Sequence, residues 1–140
     1  MLNLIRLARL LGEGEYEQKA SDIAKAFSMQ VERSPTGFGM MLSALNFALG
    51  PSYEVIIAGN LEADDTRNML KTLRERFIPN KIVLVRGGKE QSQQITQLAP
   101  YTKYYDSLKG KATVHVCINQ NCKLPTTETS QMLKLLGEAE

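Results

Sequence analysis

The sequence predicts an α/β fold in which helices come first and a small sheet follows. Residues 1–50 place their apolar side chains at helical spacing, whereas beyond Pro51 short β-branched runs alternate with an amphipathic helix. A strand, helix, strand order over residues 53–85 is the third observation, because such a unit closes through a right-handed crossover into parallel strands. The expected organisation is therefore a helical segment over 1–50 and a small α/β region over 51–140. The latter should hold a three-stranded, mostly parallel βαβ-type sheet with flanking helices.

The first helix is expected over Leu2 to Leu11, where Leu4, Leu7, Ala8 and Leu11 share a face and Leu2, Ile5 and Leu10 spread apolar surface around the rest. Such a helix calls for neighbours on more than one side, and if left uncovered it would drive self-association of the chain. Gly12 and Gly14 supply the turn into a second helix, whose stripe is Tyr16, Ala20, Ile23, Ala24, Phe27 and Val31. Ser34-Pro35 suits the start of a third, with Phe38, Met41, Leu42, Leu45 and Leu49 continuing to Gly50-Pro51.

The pattern then shortens. Tyr53 to Ala58 (YEVIIA) and Lys81 to Val85 (KIVLV) are continuous apolar runs of the kind that form buried strands. Between them Asp64 is placed to cap a helix with Thr66, Met69, Leu70, Leu73 and Phe77 on one face, stopped by Pro79-Asn80. On this reading Phe77 is a buried ring. Glu90 to Leu98 suits a short helix after Gly87-Gly88, Ala112 to Ile118 (ATVHVCI) a third strand, and Ser130 to Leu136 a last helix.

Charge singles out no partner. Seventeen Lys and Arg against fifteen Asp and Glu leave a formal +2, too little to draw nucleic acid or an anionic membrane by net field. No apolar stretch approaches the roughly 20 residues that span a bilayer. Two cysteines are too few for a secreted disulfide scaffold, so a reducing cytoplasm is expected. Arg67, Lys71 and Arg74 align on one helix face, and Tyr101, Tyr104 and Tyr105 alternate with Lys103, Lys109 and Lys111. Such sets bind single strands by charge and stacking, but Glu75 and Asp106 interrupt them and a solvated face explains them better.

Three places offer chemistry. The Gly59-Asn60 turn stands where nucleotide folds hold phosphate, yet Glu62, Asp64 and Asp65 bring negative charge there and no phosphate-loop motif is present. His115, Cys117 and Cys122 form the one cluster of metal-ligand types, but a closed zinc site needs four ligands and the sequence supplies three. No metal or other cofactor and no catalytic residue is therefore expected. The third reading takes Cys117 and Cys122 as a redox or disulfide pair, which a strand end and a four-residue loop permit. Against it, a thiol inside an apolar strand is usually inert.

Several segments together resemble a known family. They are Leu7-Ala8-Arg9-Leu10 with Gly12 and Tyr16, Ala26-Phe27, Pro35 with Met41-Leu42, and Phe47 with Leu49-Gly50-Pro51. Glu54-Val55-Ile56-Ile57-Ala58-Gly59, Asp65-Thr66-Arg67, Phe77-x-Pro79-Asn80-Lys81, Leu98-Ala99-Pro100, Gly110-Lys111-Ala112-Thr113, Val116-Cys117, Cys122 and Pro125-Thr126-Thr127 complete the set. In order and spacing these are similar to the C-terminal part of the YyaL-like, or spermatogenesis-associated thioredoxin-domain-containing, protein family. Asn46 departs from the pattern where an acid is expected, and Glu128-Thr129 replaces an Asp-Pro pair.

The resemblance implies a larger parent, with an N-terminal thioredoxin-like domain and an α/α toroid like those of N-acylglucosamine 2-epimerases and six-hairpin glycosidases. Residues 1–50 would then be the last toroid helices. It implies a structural, accessory role without catalysis, with the rest of the parent polypeptide as partner; a second copy of the chain is the partner that the apolar first helix suggests. Two other roles stay open: thiol redox chemistry at Cys117 and Cys122, and a sugar-binding contribution from the toroid-like helices. For the latter the helical third offers Tyr16, Phe27, Phe38 and Phe47 at core spacing.

Overall fold

The computed structural model describes residues 1–138. The chain divides into two compact units, Met1–Ser52 and a second that begins at Tyr53. The first holds α1 (Leu2–Leu11), α2 (Gly14–Arg33), a 3-10 turn (Pro35–Phe38) and α3 (Gly39–Leu49). Gly12 ends α1 at φ 75°, a left-handed position that glycine takes without a Cβ clash, and its N–H donates to the Ala8 carbonyl. The chain can then reverse into α2. Helix α1 packs on both α2 and α3, and Ile5, Ala8, Ala20, Ala44 and Phe47 form the buried centre of this unit.

Two expectations change here. The third helix does not start at Ser34 with a serine cap. Pro35–Phe38 winds as a 3-10 turn and Ser34 makes no side-chain cap bond. Gly37 and Gly39 explain this, since glycine is among the poorest residues for propagating an α-helix and a tight turn tolerates it. The uncovered apolar surface is also displaced. Helix α1 exposes Leu7 at 38%, but most of the uncovered surface belongs to Phe27, Met29, Met40, Leu42 and Leu49 on α2 and α3, Met40 at 72% and Leu49 at 83%.

The second unit is a four-stranded mixed sheet with helices on its two faces. Its strands are β1 (Tyr53–Ala58), β2 (Lys81–Arg86), β3 (Thr113–Ile118) and β4 (Asn121–Cys122), in the spatial order β2-β1-β3-β4. Its helices are α4 (Asp64–Arg74), α5 (Lys89–Leu98) and α6 (Thr129–Leu135), with a 3-10 turn at Pro100–Tyr104. The β1–β2 pair is parallel, as the strand, helix, strand pattern requires. The β1–β3 and β3–β4 pairs are antiparallel, so the sheet is not mostly parallel and has a short fourth strand. The reason lies in residues 99–112. Thr102 is buried, Tyr105 stacks against His115, and Asp106 pairs with Arg86 at the end of β2. This segment carries the chain back to the end from which β1 leaves, so β3 must run the other way.

Strand alternation sorts the sheet's side chains into two faces. One face carries Val55, Ile57, Val83, Val114 and Val116, packed with Met69 and Leu73 of α4, Ile78, and Met132 and Leu136 at the C-terminal helix. Phe77 is not part of this core. Helix α4 stops at Arg74, Phe77 is 87% exposed, and Ile78 fills the place assigned to it. The helical period fails because residues 75–78 have left the helix. Asp64 does not cap α4 either. Ala63 holds that position, and the useful acid is Asp65, whose Oδ1 and Oδ2 accept the N–H groups of Thr66 and Ala112, each at 2.7 Å.

Candidate functional site

The opposite face of the sheet is where the reactive side chains collect. Register places Ile82, Glu54, Cys117 and Cys122 in one row across the four strands, with Leu84, Ile56 and His115 in the next and Arg86, Ala58 and Thr113 in the third. The segment 100–106 lies over these rows. Tyr105 meets the His115 ring edge-on with centroids 5.0 Å apart, and Tyr101 meets Tyr105 at 6.2 Å.

Cys117 and Cys122 are joined in a disulfide. Asn119 and Gln120 both take positive φ, 48° and 66°, so the β3–β4 hairpin closes with the two-residue turn that matches strand twist. Cys117 and Cys122 thereby become direct cross-strand partners, with Cα atoms 3.8 Å apart. This is closer than the ~4.4 to 6.8 Å of most disulfides. The two residues differ in exposure. Cys117 is 3% exposed, whereas Cys122 is exposed on the edge strand.

Two polar side chains stand close to the pair. The Tyr105 hydroxyl lies 3.3 Å from the Cys122 sulfur and 3.8 Å from the Cys117 sulfur. Glu54, 7% exposed, is the register partner of Cys117, and its Oε2 accepts the Gln120 N–H at 3.1 Å. It therefore holds the hairpin turn. Burial pushes the Tyr101 phenol up to about 12, with Tyr105 and Glu54 adding to the effect. Burial also raises Tyr105, with Glu54 as a further cause, so both phenols keep their protons at neutral pH. His115 Nε2 lies 3.0 Å from the Asp106 carbonyl oxygen. Burial lowers the His115 pKa despite that contact, which leaves the ring neutral at pH 7.

The same face opens, at the ends of β1 and β2, into a shallow polar cleft of about 990 Å³. Gly59, Asn60, Arg86, Lys89, Lys103 and Asp106 are among its lining residues. Arg86 is engaged there: its Nη1 donates to the Tyr105 carbonyl at 2.7 Å and pairs with Asp106. Gly59 is required by packing rather than by a phosphate, since a Cβ would lie 2.5 Å from Thr66 Oγ1 and 3.2 Å from Ala112 Cα. Glu62 pairs with Arg67, and Asp65 clamps the loop to β3.

Among the described residues no group of three His, Cys, Asp or Glu side chains is placed to hold a metal ion. Within the Cys117, Cys122 and His115 cluster, the disulfide removes both thiolates. Of the tyrosine and lysine series, Tyr101 and Tyr105 turn inward over the sheet, while Tyr104 stays exposed beneath Lys103. Of the helical aromatics, Phe47 is buried and Phe27 packs on Phe38 with centroids 6.4 Å apart. Glu54 and its contact with the hairpin escape a sequence reading. The available signal is one acid inside a run of apolar strand residues, a placement that burial makes costly unless it has partners.

No protein-family model and no solved structure matches the chain. It is 31% identical over 134 residues to spermatogenesis-associated protein 20 of Homo sapiens, an alignment that covers 96% of this chain. The Rattus norvegicus protein of the same name is 31% identical and the Mus musculus one 28%, each over 97% of the chain. The chain spans 17% of the length of each of these relatives. It is thus a homologue of spermatogenesis-associated protein 20, matched along nearly all of its own length. Among the described residues no helix is long and apolar enough to cross a membrane.

Proposed function

We propose that this chain is an accessory, non-catalytic part of a larger polypeptide, corresponding to the C-terminal region of the spermatogenesis-associated thioredoxin-domain proteins. In this reading α1 to α3 are the last helices of an α/α toroid and the sheet unit is the terminal module that follows it. The observation that carries the proposal is the uncovered apolar set of the first unit. Met40 and Leu49 stand free, and Met1, Leu2, Ile23, Phe27, Phe38, Met40 and Met41 surround an apolar groove of about 400 Å³. Side chains of this kind are rarely left to solvent in such numbers. A chain that spans 17% of its relatives leaves ample polypeptide to cover them. The same reading makes a sugar role for these helices secondary, because Phe47 is buried and the Phe27–Phe38 pair belongs to the apolar groove assigned to covering polypeptide. A reducing, cytoplasmic setting belongs to this proposal.

The test is the behaviour of the chain alone. It should self-associate and bind a dye that reports apolar surface, and a Met40→Glu, Leu49→Glu double variant should be less associated with its circular dichroism unchanged. Fusion to the preceding toroid segment should suppress both effects. A clean monomer that binds no dye at high concentration would overturn the proposal.

A further inference from the structure

We propose that Cys117 and Cys122 form a thiol–disulfide exchange site, entered at Cys122 by a dithiol reductant, with Cys117 as the leaving sulfur and Tyr105 as its hydrogen-bond donor. The inference concerns the sheet unit alone and does not depend on what covers the helices.

Exchange requires access to one sulfur, a line of attack, and a means of stabilising the other sulfur as it leaves. Cys122 meets the first condition, since it is exposed and lies on the two-residue edge strand, which no further strand covers. Cys117 is buried in the central antiparallel strand, so an incoming thiolate reaches Cys122 and not Cys117. The third condition falls to Tyr105. Its hydroxyl is within reach of both sulfurs, and because burial keeps the phenol protonated it acts as a donor to negative charge on sulfur. The β3–β4 turn is already held by Glu54 through the Gln120 N–H.

The step balances as follows. One thiolate of the dithiol forms a bond to Cys122 Sγ, the Cys122–Cys117 bond breaks, and its electron pair stays on Cys117. The second thiol of the reductant then attacks its own bound sulfur and expels Cys122 as a thiolate. The reductant leaves as a disulfide, having lost two electrons and two protons, and both cysteines finish as thiols. The two protons that the reductant gives up protonate Cys117 and Cys122 and complete the reaction. His115, two residues away on the same strand face, remains neutral and contributes no charge of its own.

Dithiothreitol and glutathione are suitable probes, with alkylation and mass spectrometry reading each cysteine separately. The folded chain should be reduced by dithiothreitol faster than it unfolds, and glutathione should be trapped on Cys122 with Cys117 free. Tyr105→Phe should slow reduction about tenfold, the worth of one hydrogen bond to a charged group, and should raise the pKa of Cys117 alkylation in the reduced protein. A merely structural role for Tyr105 would leave that pKa unmoved. Should Tyr105→Phe fail to fold, Cys117→Ser supplies the second variant, and its Cys122 should form a mixed disulfide with oxidised glutathione. Reduction only at the rate of global unfolding, glutathione trapped on Cys117, or a Tyr105→Phe protein with unchanged rate and pKa would each overturn the proposal.

Discussion

The two faces of the sheet are built from the same strands, residue by residue in alternation, and yet they differ in kind. Val55, Ile57, Val114 and Val116 face α4 and α6 in a packing of apolar side chains with Tyr53 at its margin, while Glu54, His115 and Cys117, one step along the same strands, face Tyr101 and Tyr105. The dry face draws its stability from area removed from water, so any volume lost there is felt. The polar face is held by pairwise contacts: Glu54 with Gln120, His115 with Asp106, Arg86 with Asp106, and the disulfide. Chemistry can be placed where its partners can be named, and it is kept away from the layer that supplies cohesion.

The largest expected effect tests the dry face. Ile57→Ala, at a fully buried position, should cost about 2–5 kcal/mol in a denaturant melt of the chain. A loss no larger than that of a surface variant would show that this layer is not the core. Next comes the disulfide. Replacing Cys117 and Cys122 together by alanine should cost about 2 kcal/mol, since closing so short a loop removes little entropy from the unfolded chain. A loss as large as that of Ile57→Ala would mean that the polar face carries cohesion after all.

Protonation gives a smaller and directional effect. Burial holds the folded pKa of His115 below 6.5, so between that folded value and 6.5 the unfolded chain binds more protons than the folded one. The stability contributed by neutral His115 is therefore complete above pH 6.5 and is lost as pH falls through the folded pKa. His115→Gln should flatten this part of the stability profile, and an unchanged slope would remove His115 from the linkage. The smallest effect belongs to Phe77→Ala, which should stay within about 0.5 kcal/mol because the ring lies in solvent. A cost of several kcal/mol would return Phe77 to the core face of α4 and undo the placement of Ile78.

The comparison also shows where a sequence can be read and where it cannot. The helices, the parallel β1–β2 pair and the apolar strands are legible because period and β-branching are local properties. Phe77 misleads for the same reason: it continues the helical spacing through residues 75–78, whereas the helix ends at Arg74. Glu54 and Tyr105 were present as an acid in a strand and a tyrosine among lysines, 51 positions apart by their numbers. Nothing in either segment reveals that both would stand beside Cys117. The direction of β3 was hidden in the same way, since residues 99–112 reverse the chain by packing over the sheet rather than by a turn motif.

By itself, then, the sequence determined a helical first third, a βαβ start to the second unit, and a cysteine pair whose spacing permitted a bridge. These follow from backbone preferences and from the need to bury apolar stripes, and each is decided by residues near one another in the chain. Only the tertiary structure decided the antiparallel course of β3, the burial of Cys117 beside an exposed Cys122, and the gathering of Glu54, Tyr101, Tyr105 and His115 around them. Those outcomes depend on contacts between distant segments, whose register is set when two faces of one sheet are covered at once.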